Sequence, residues 1–187
     1  MNTNAYRKPA SFSIIGGAGF RAQYFLRIAQ ALPERFRVSG MVVRDEGQGR
    51  SMERKWHVPT YRTLDDLLAR ETPDFVLVSV SKGACADYLL QLAQRGIPAL
   101  AETPPASSVE GLALLHEKLT LAGARVQVAE QYIHHPLHAA RLAVIEAGWL
   151  GEITQATVSI TQTYHAVSLM RNMLGVRFED VTVRAMR

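Results

Sequence analysis

The 187-residue chain contains a single cysteine, Cys85, so it cannot form an internal disulfide and any catalytic thiol would have to be that one. It lacks an apolar run near the ~20 residues that a membrane-spanning helix needs. The stretch from Met1 to Pro9 has neither the apolar core nor the cleavage site of a secretory signal, so a cytoplasmic protein is expected. Aromatic residues are few, at 7%, and the net charge of +4 comes from lysines and arginines scattered singly among acids. The nearest clusters, Arg35 with Arg37 and Arg50 with Arg54 and Lys55, are not interleaved with aromatics, which argues against a nucleic-acid-binding surface.

What the chain does have is core-forming material, 48% hydrophobic, enough for one full domain and part of another. Its most informative stretch runs from Phe12 to Ala22: the apolar run Phe12-Ser-Ile-Ile15, a glycine turn, and then a helical pattern from Phe20 to Leu32. The frame Gly17-x-Gly19-x-x-Ala22 fits a dinucleotide-binding turn. In that frame Gly17 makes the turn, Gly19 lets backbone approach a pyrophosphate, and the small Ala22 lets helix pack on strand. The helix would aim its first N–H groups at the phosphates.

Apolar, β-branched-rich runs at Phe12–Ile15, Val38–Val43, Phe75–Val80, Ile97–Ala101 and Val126–Ala129 read as buried parallel strands. Helical patterns separate them. Thr63-Leu-Asp-Asp66 and Ser107-Ser-Val-Glu110 have capping-box spacing, and Gly96 and Gly123 stand where helices should end. Alternating strands and helices imply right-handed βαβ units, hence a Rossmann-type, doubly wound α/β domain over residues 1–129. Beyond it the pattern changes to a helix over Pro136–Ala147 closed by Gly148, an alternating strand over Ile153–Thr163, a helix over Val167–Leu174 and a strand beginning at Val181. So few strands predict an incomplete α/β second domain over residues 130–187, with open edges prone to association.

These segments together resemble the Gfo/Idh/MocA family, that is, the glucose-fructose oxidoreductases and inositol dehydrogenases. The resemblance rests on Gly17-x-Gly19-x-x-Ala22, Ala101-Glu-Thr-Pro-Pro105, Ala129-Glu-Gln-Tyr132, Gly151-Glu-Ile153 and His165-x-x-x-Leu-Met-Arg171 with Leu174-Gly175. It implies a nicotinamide cofactor and hydride transfer at a hydroxyl-bearing carbon of a sugar or polyol. It further implies a member shorter than usual in its second domain, lacking much of the sheet through which the family oligomerises.

Carried over residue by residue, the resemblance assigns Gly17, Gly19, Phe20, Arg21, Ala22, Arg44, Ser79 and Glu102 to the cofactor. Tyr132, His134 and His135 face the substrate, and His165, Thr103 and Thr161 stand at the reacting groups. Thr103 occupies the place of the family's lysine, and a hydroxyl can hydrogen-bond an alcohol but cannot carry positive charge toward an alkoxide. His165 matches the acid–base histidine, but Thr161 and Ser168 stand where many members have aspartates, so no carboxylate partner is expected for it. At the end of the second strand Val43 offers no acceptor to a ribose hydroxyl, whereas the following Arg44 can pair with a 2′-phosphate, so NADP(H) is favoured over NAD(H). His134, His135 and His138 lie close in sequence, but Pro136 intervenes and no carboxylate or cysteine completes a ligand set, so no metal is expected. The alternative function is a nucleotide-binding sensor or partner subunit without efficient dehydrogenase activity.

Overall fold

The computed structural model describes residues 8–17, 19–159, 163–177, 179–180, 182 and 184. The chain divides into two compact units, Met1–Ala129 and Glu130–Arg187.

In the first unit, β1 (Ala10–Ile15), β2 (Phe36–Val42), β3 (Thr60–Tyr61), β4 (Phe75–Val78), β5 (Ala99–Ala101) and β6 (Val126–Val128) form one sheet in the order β3-β2-β1-β4-β5-β6. All pairings are parallel. This is the doubly wound order that reverses direction between β1 and β4. Five of the strands coincide with the apolar runs; β3 escaped because a two-residue strand carries no readable periodicity. The helices that connect them are α1 (Phe20–Ala31), α2 (Glu46–Trp56), α3 (Leu64–Leu68), α4 (Lys82–Gln94) and α5 (Val109–Leu121).

Successive strand residues feed opposite faces, which is why these strands are apolar throughout rather than alternating. Phe12, Ile14, Met41 and Leu77 pack with Ala22 and Leu26 of α1 and Met52 of α2. On the other face Ile15, Val42, Val76 and Val78 pack with Leu64 and Leu67 of α3 and Leu89 and Leu92 of α4. Each fully buried aliphatic side chain contributes about 1.5–3 kcal/mol. The polar exceptions are satisfied: the pairing of β1 with β2 skips Ser39, whose hydroxyl meets that of Ser13 at 2.7 Å and the Phe12 carbonyl at 3.3 Å.

Helix ends follow local chemistry. The Thr63 hydroxyl accepts from the Asp66 N–H at 3.0 Å and caps α3. The second expected cap lies one residue later than the Ser107 spacing suggested. Ser108, extended and adjacent to the first helical residue, accepts from the Gly111 N–H at 3.1 Å, because neighbouring serines offer the same hydroxyl and α5 starts at Val109. Gly96, Gly123 and Gly148 all adopt positive φ just past their helices.

The second unit contains a 3₁₀ turn (Tyr132–His134), α6 (Pro136–Glu146), with Pro136 in its first turn, and α7 (Thr163–Leu174). The strand expected over Ile153–Thr163 is not formed in its described part: residues 153–159 are in no strand, Thr163 opens α7, and residues 160–162 lie outside the described set. An alternating sequence becomes a strand only when a neighbour takes its N–H and C=O groups, and no such ladder partner exists among the described residues. Helix α7 begins four residues before the expected Val167, which moves His165 into its first turn. Most of the strand expected from Val181 falls outside the described residues, and Thr182 and Arg184 are in no strand.

Gly16 has φ +97°, and a β-carbon there would collide with the Ser79 carbonyl oxygen, whereas one at Gly19 would meet nothing within 4 Å. Gly16→Ala should therefore cost about 3 kcal/mol, from backbone strain and overpacking together, and Gly19→Ala less than about 1 kcal/mol. Urea unfolding of the two variants side by side checks this; equal losses would contradict it.

Candidate functional site

The glycine turn closes β1 and opens α1, and the structure redistributes its duties. The residue with left-handed backbone is Gly16, one before the expected turn-maker Gly17. Gly17 is instead needed for close packing, since a β-carbon there would lie 2.5 Å from Val43 Cγ2 and 2.6 Å from Met41 Cε. Gly16 could not be singled out in sequence because the two glycines are adjacent and only the register of β1 against β4 decides which one turns. Gly19 is the N-cap of α1, with no side-chain cap and no acidic residue in the first turn, so the first N–H groups of α1 are left to a ligand. Ala22 is fully buried and packs α1 on the sheet.

Around this turn lies a cleft of about 430 Å³ whose lining includes Gly17, Gly19, Arg44, Ser79, Ser81 and Tyr88. It sits at the C-terminal ends of β1, β2 and β4, where the strand order reverses. Arg44 is exposed on its rim. Asp45 does not hold Arg44 down: its carboxylate caps α2 by accepting from the Gln48 N–H at 2.7 Å. The loop bearing Arg44 is braced by Arg62, a residue without any signal in the sequence. Arg62 donates to the carbonyls of Val43 and Asp45 and to the Thr60 hydroxyl. It fits only because Gly49 has no side chain; a β-carbon there would strike the guanidinium.

Of the other expected cofactor residues, Phe20 is 73% exposed and does not line the cleft. Arg21 donates to Glu102 at 2.9 Å, joining the start of α1 to the end of β5, with the Glu102 side chain largely buried. Thr103 follows, before a cis peptide to Pro104. Its hydroxyl is buried and has no hydrogen-bond partner in the protein. Such an orphan is costly unless something bound supplies the missing partner. Cys85, buried at the start of α4, has its thiol pushed up to about 11 by burial and by the nearby Glu102 charge, so it stays protonated and packs.

In the second unit the expectation of a partnerless His165 is overturned. Glu130 Oε2 lies 2.6 Å from His165 Nδ1, and its other oxygen accepts from the Tyr132 N–H at 3.0 Å. His165 is buried, and its ring is flanked by Tyr132 and Tyr164 at centroid distances of 4.6 and 4.3 Å. A carboxylate can only accept, so it holds the proton on Nδ1 and leaves the Nε2 lone pair free to take one. Glu130 was hidden because it is 35 residues from its partner. Thr161, expected beside His165, lies outside the described residues.

Tyr132 and His135 line a second cavity of about 500 Å³ with His138 and Arg141, whereas the exposed His134 does not. His138 is only 5% exposed. Its Nδ1 lies 3.3 Å from Arg141 Nη1.

Comparison with known proteins agrees with the fold. Residues 11–130 match the model of an oxidoreductase family with an NAD-binding Rossmann fold. Among curated proteins, a D-xylose 1-dehydrogenase (NADP(+)) of Haloferax volcanii is 29% identical over 154 residues, which is 82% of this chain and 45% of that protein. Among solved structures, an oxidoreductase from Pseudomonas syringae superposes with a TM-score of 0.73 at 19% identity, covering 90% of this chain and 53% of that one. The WlbA dehydrogenase of Bordetella pertussis, in complex with NADH and UDP-GlcNAcA, gives 0.69 at 19% identity over 78% and 44%. The chain thus spans about half the length of the proteins it matches, and among its described residues no helix is long and apolar enough to cross a membrane.

Burial, then the Arg141 guanidinium, then His135 hold the His138 imidazole below the ordinary histidine value of 6.5. On acidification the unfolded chain gains a proton here that the folded chain refuses. Stability from this group is therefore full above the ordinary value and declines as pH falls through it toward the depressed one. His138→Gln should flatten that decline in urea midpoints measured from about pH 5 to 8. An unchanged slope would show that other groups set it.

Proposed function

Because the chain belongs to the Gfo/Idh/MocA oxidoreductase family, we propose that it serves an NAD(P)-dependent oxidation or reduction at a hydroxyl-bearing carbon of a sugar or polyol. The observation that carries this reading is the Glu130–His165 pair, a buried imidazole with one nitrogen fixed on a carboxylate. The dinucleotide reading is supported by the cleft, the uncapped start of α1 and the open space beside Gly19. Gly19 and the first N–H groups of α1 would take the pyrophosphate, and Arg44 the adenosine ribose end. The chemistry a bound nicotinamide would supply there is hydride transfer.

The chain's own residues handle the proton. His165 Nε2 takes it from the substrate hydroxyl in the oxidative direction and returns it in the reverse. Glu130 keeps the acceptor tautomer in place and stabilises the imidazolium that forms. Thr103 can donate or accept one hydrogen bond where the family has a cation, so transition-state charge would be less well stabilised. That substitution also favours a second reading, a nucleotide-binding subunit without efficient dehydrogenase activity.

Arg44 supports a preference for NADP(H), since it is exposed on the cleft rim and Asp45 is committed to capping. The curated relative is named for NADP(+), whereas the WlbA structure contains NADH. Titration followed by nicotinamide fluorescence should show saturable binding, tighter for NADPH. Arg44→Ala should weaken NADPH by about 1–3 kcal/mol and leave NADH nearly unchanged. If neither cofactor binds, the oxidoreductase reading fails; equal affinities would remove Arg44 from it.

Turnover tests the proton path. With sugar and polyol substrates, His165→Ala should lower kcat by about 10²–10⁴-fold, Glu130→Gln should lower the same parameter by less, and Thr103→Lys should raise it. A parent rate indifferent to all three changes would place the chemistry elsewhere.

A further inference from the structure

The cavity beside α6 has a polar character that the proton path does not use. Its lining is Gln131, Tyr132, His135, Leu137, His138 and Arg141, without a carboxylate. A guanidinium has no lone pair, so at 3.3 Å Arg141 Nη1 donates and His138 Nδ1 accepts. This fixes the His138 proton on Nε2, which has no protein partner among the described residues although the side chain is nine-tenths buried. Arg141 spends only this one contact and forms no ion pair among the described residues, leaving most of its five N–H groups available. Helix α6 starts at the same place with His135 as an N-cap that supplies no side-chain bond and with no acid in its first turn. The N–H of a buried imidazole and the guanidinium of the exposed Arg141 therefore converge here, with Tyr132 and Leu137 adding apolar surface.

We infer that this cavity is an anion subsite that takes the carboxylate of a sugar acid, held by Arg141 and the Nε2–H of His138, with the sugar's C–H face against Tyr132. The inference rests on the oxidoreductase reading for its connection to turnover, and on the cavity alone for binding. One planar fork and one neutral N–H match the two oxygens of a carboxylate, whereas a phosphate dianion would call for more donors and charge. Tyr132 contacts both the ring of His165, at 4.6 Å, and that of His138, at 6.2 Å, so the subsite lies one aromatic ring from the proton-accepting imidazole.

The test uses the 187-residue chain at fixed ionic strength, with and without saturating NADPH, and reads binding by saturation-transfer NMR and calorimetry. The probes are D-glucuronate against D-glucose, D-galacturonate against D-galactose, D-gluconate against D-glucitol, and glucose 6-phosphate. At least one acid should bind about tenfold or more tightly than its neutral counterpart, as expected of a charge-assisted bidentate contact. Arg141→Ala should bring that ratio to within about twofold while leaving the NADPH titration unchanged, and Arg141→Lys should retain part of it. No acid exceeding its neutral counterpart, a ratio that survives Arg141→Ala, or a preference for glucose 6-phosphate over every carboxylate would overturn the inference. Failure of the oxidoreductase reading would appear separately, as absence of saturable NADPH binding by the native chain, and the cofactor-free arm would still decide the subsite.

Discussion

The Ser79 carbonyl oxygen occupies the space that a side chain on residue 16 would need, and the arrangement of the first unit depends on that approach. It brings the end of β1 against the end of β4, the two strands between which the sheet reverses its order. Because Gly16 turns so tightly, the next residues can leave the sheet edge and start α1 within four positions. The uncapped helix start, the open Gly19 and the cleft all lie beside that one contact. A bulkier residue 16 would push the two strand ends apart where a ligand needs them together.

Electrostatics then distributes charge around the cleft in an economical way. The acids near the turn are already engaged, Asp45 in capping α2 and Glu102 in holding Arg21. Neither is left to repel phosphate, and the rim keeps the positive charge of Arg44. The second unit engages one of its acids comparably, since Glu130 is divided between an imidazole and a backbone N–H, and the neighbouring cavity has no acid in its lining.

Much of the first unit was legible in sequence because its signals are local. Apolar runs marked five strands, Gly96, Gly123 and Gly148 marked helix ends, and Ala22 marked the contact of α1 with the sheet. What could not be read depended on partners distant in the chain. Which of two adjacent glycines turns is decided by Ser79, and which carboxylate serves His165 is decided by a pairing across 35 residues. Strand β3 is too short to show a period, whereas residues 153–159 show one without acquiring a neighbour to pair with. Periodicity reports which side of a segment is apolar; it does not report whether a ladder exists to complete it.

The bracing of the Arg44 loop by Arg62 has an evolutionary implication. Arg62 reaches the carbonyls of Val43 and Asp45 through a gap that exists only while position 49 is glycine. Any side chain acquired there would displace the guanidinium and loosen the segment that carries Arg44 on the cleft rim, though residue 49 itself is buried and does not line the cleft. Substitution over evolution could thus alter the rim of the cleft through a position behind it, with every lining residue unchanged.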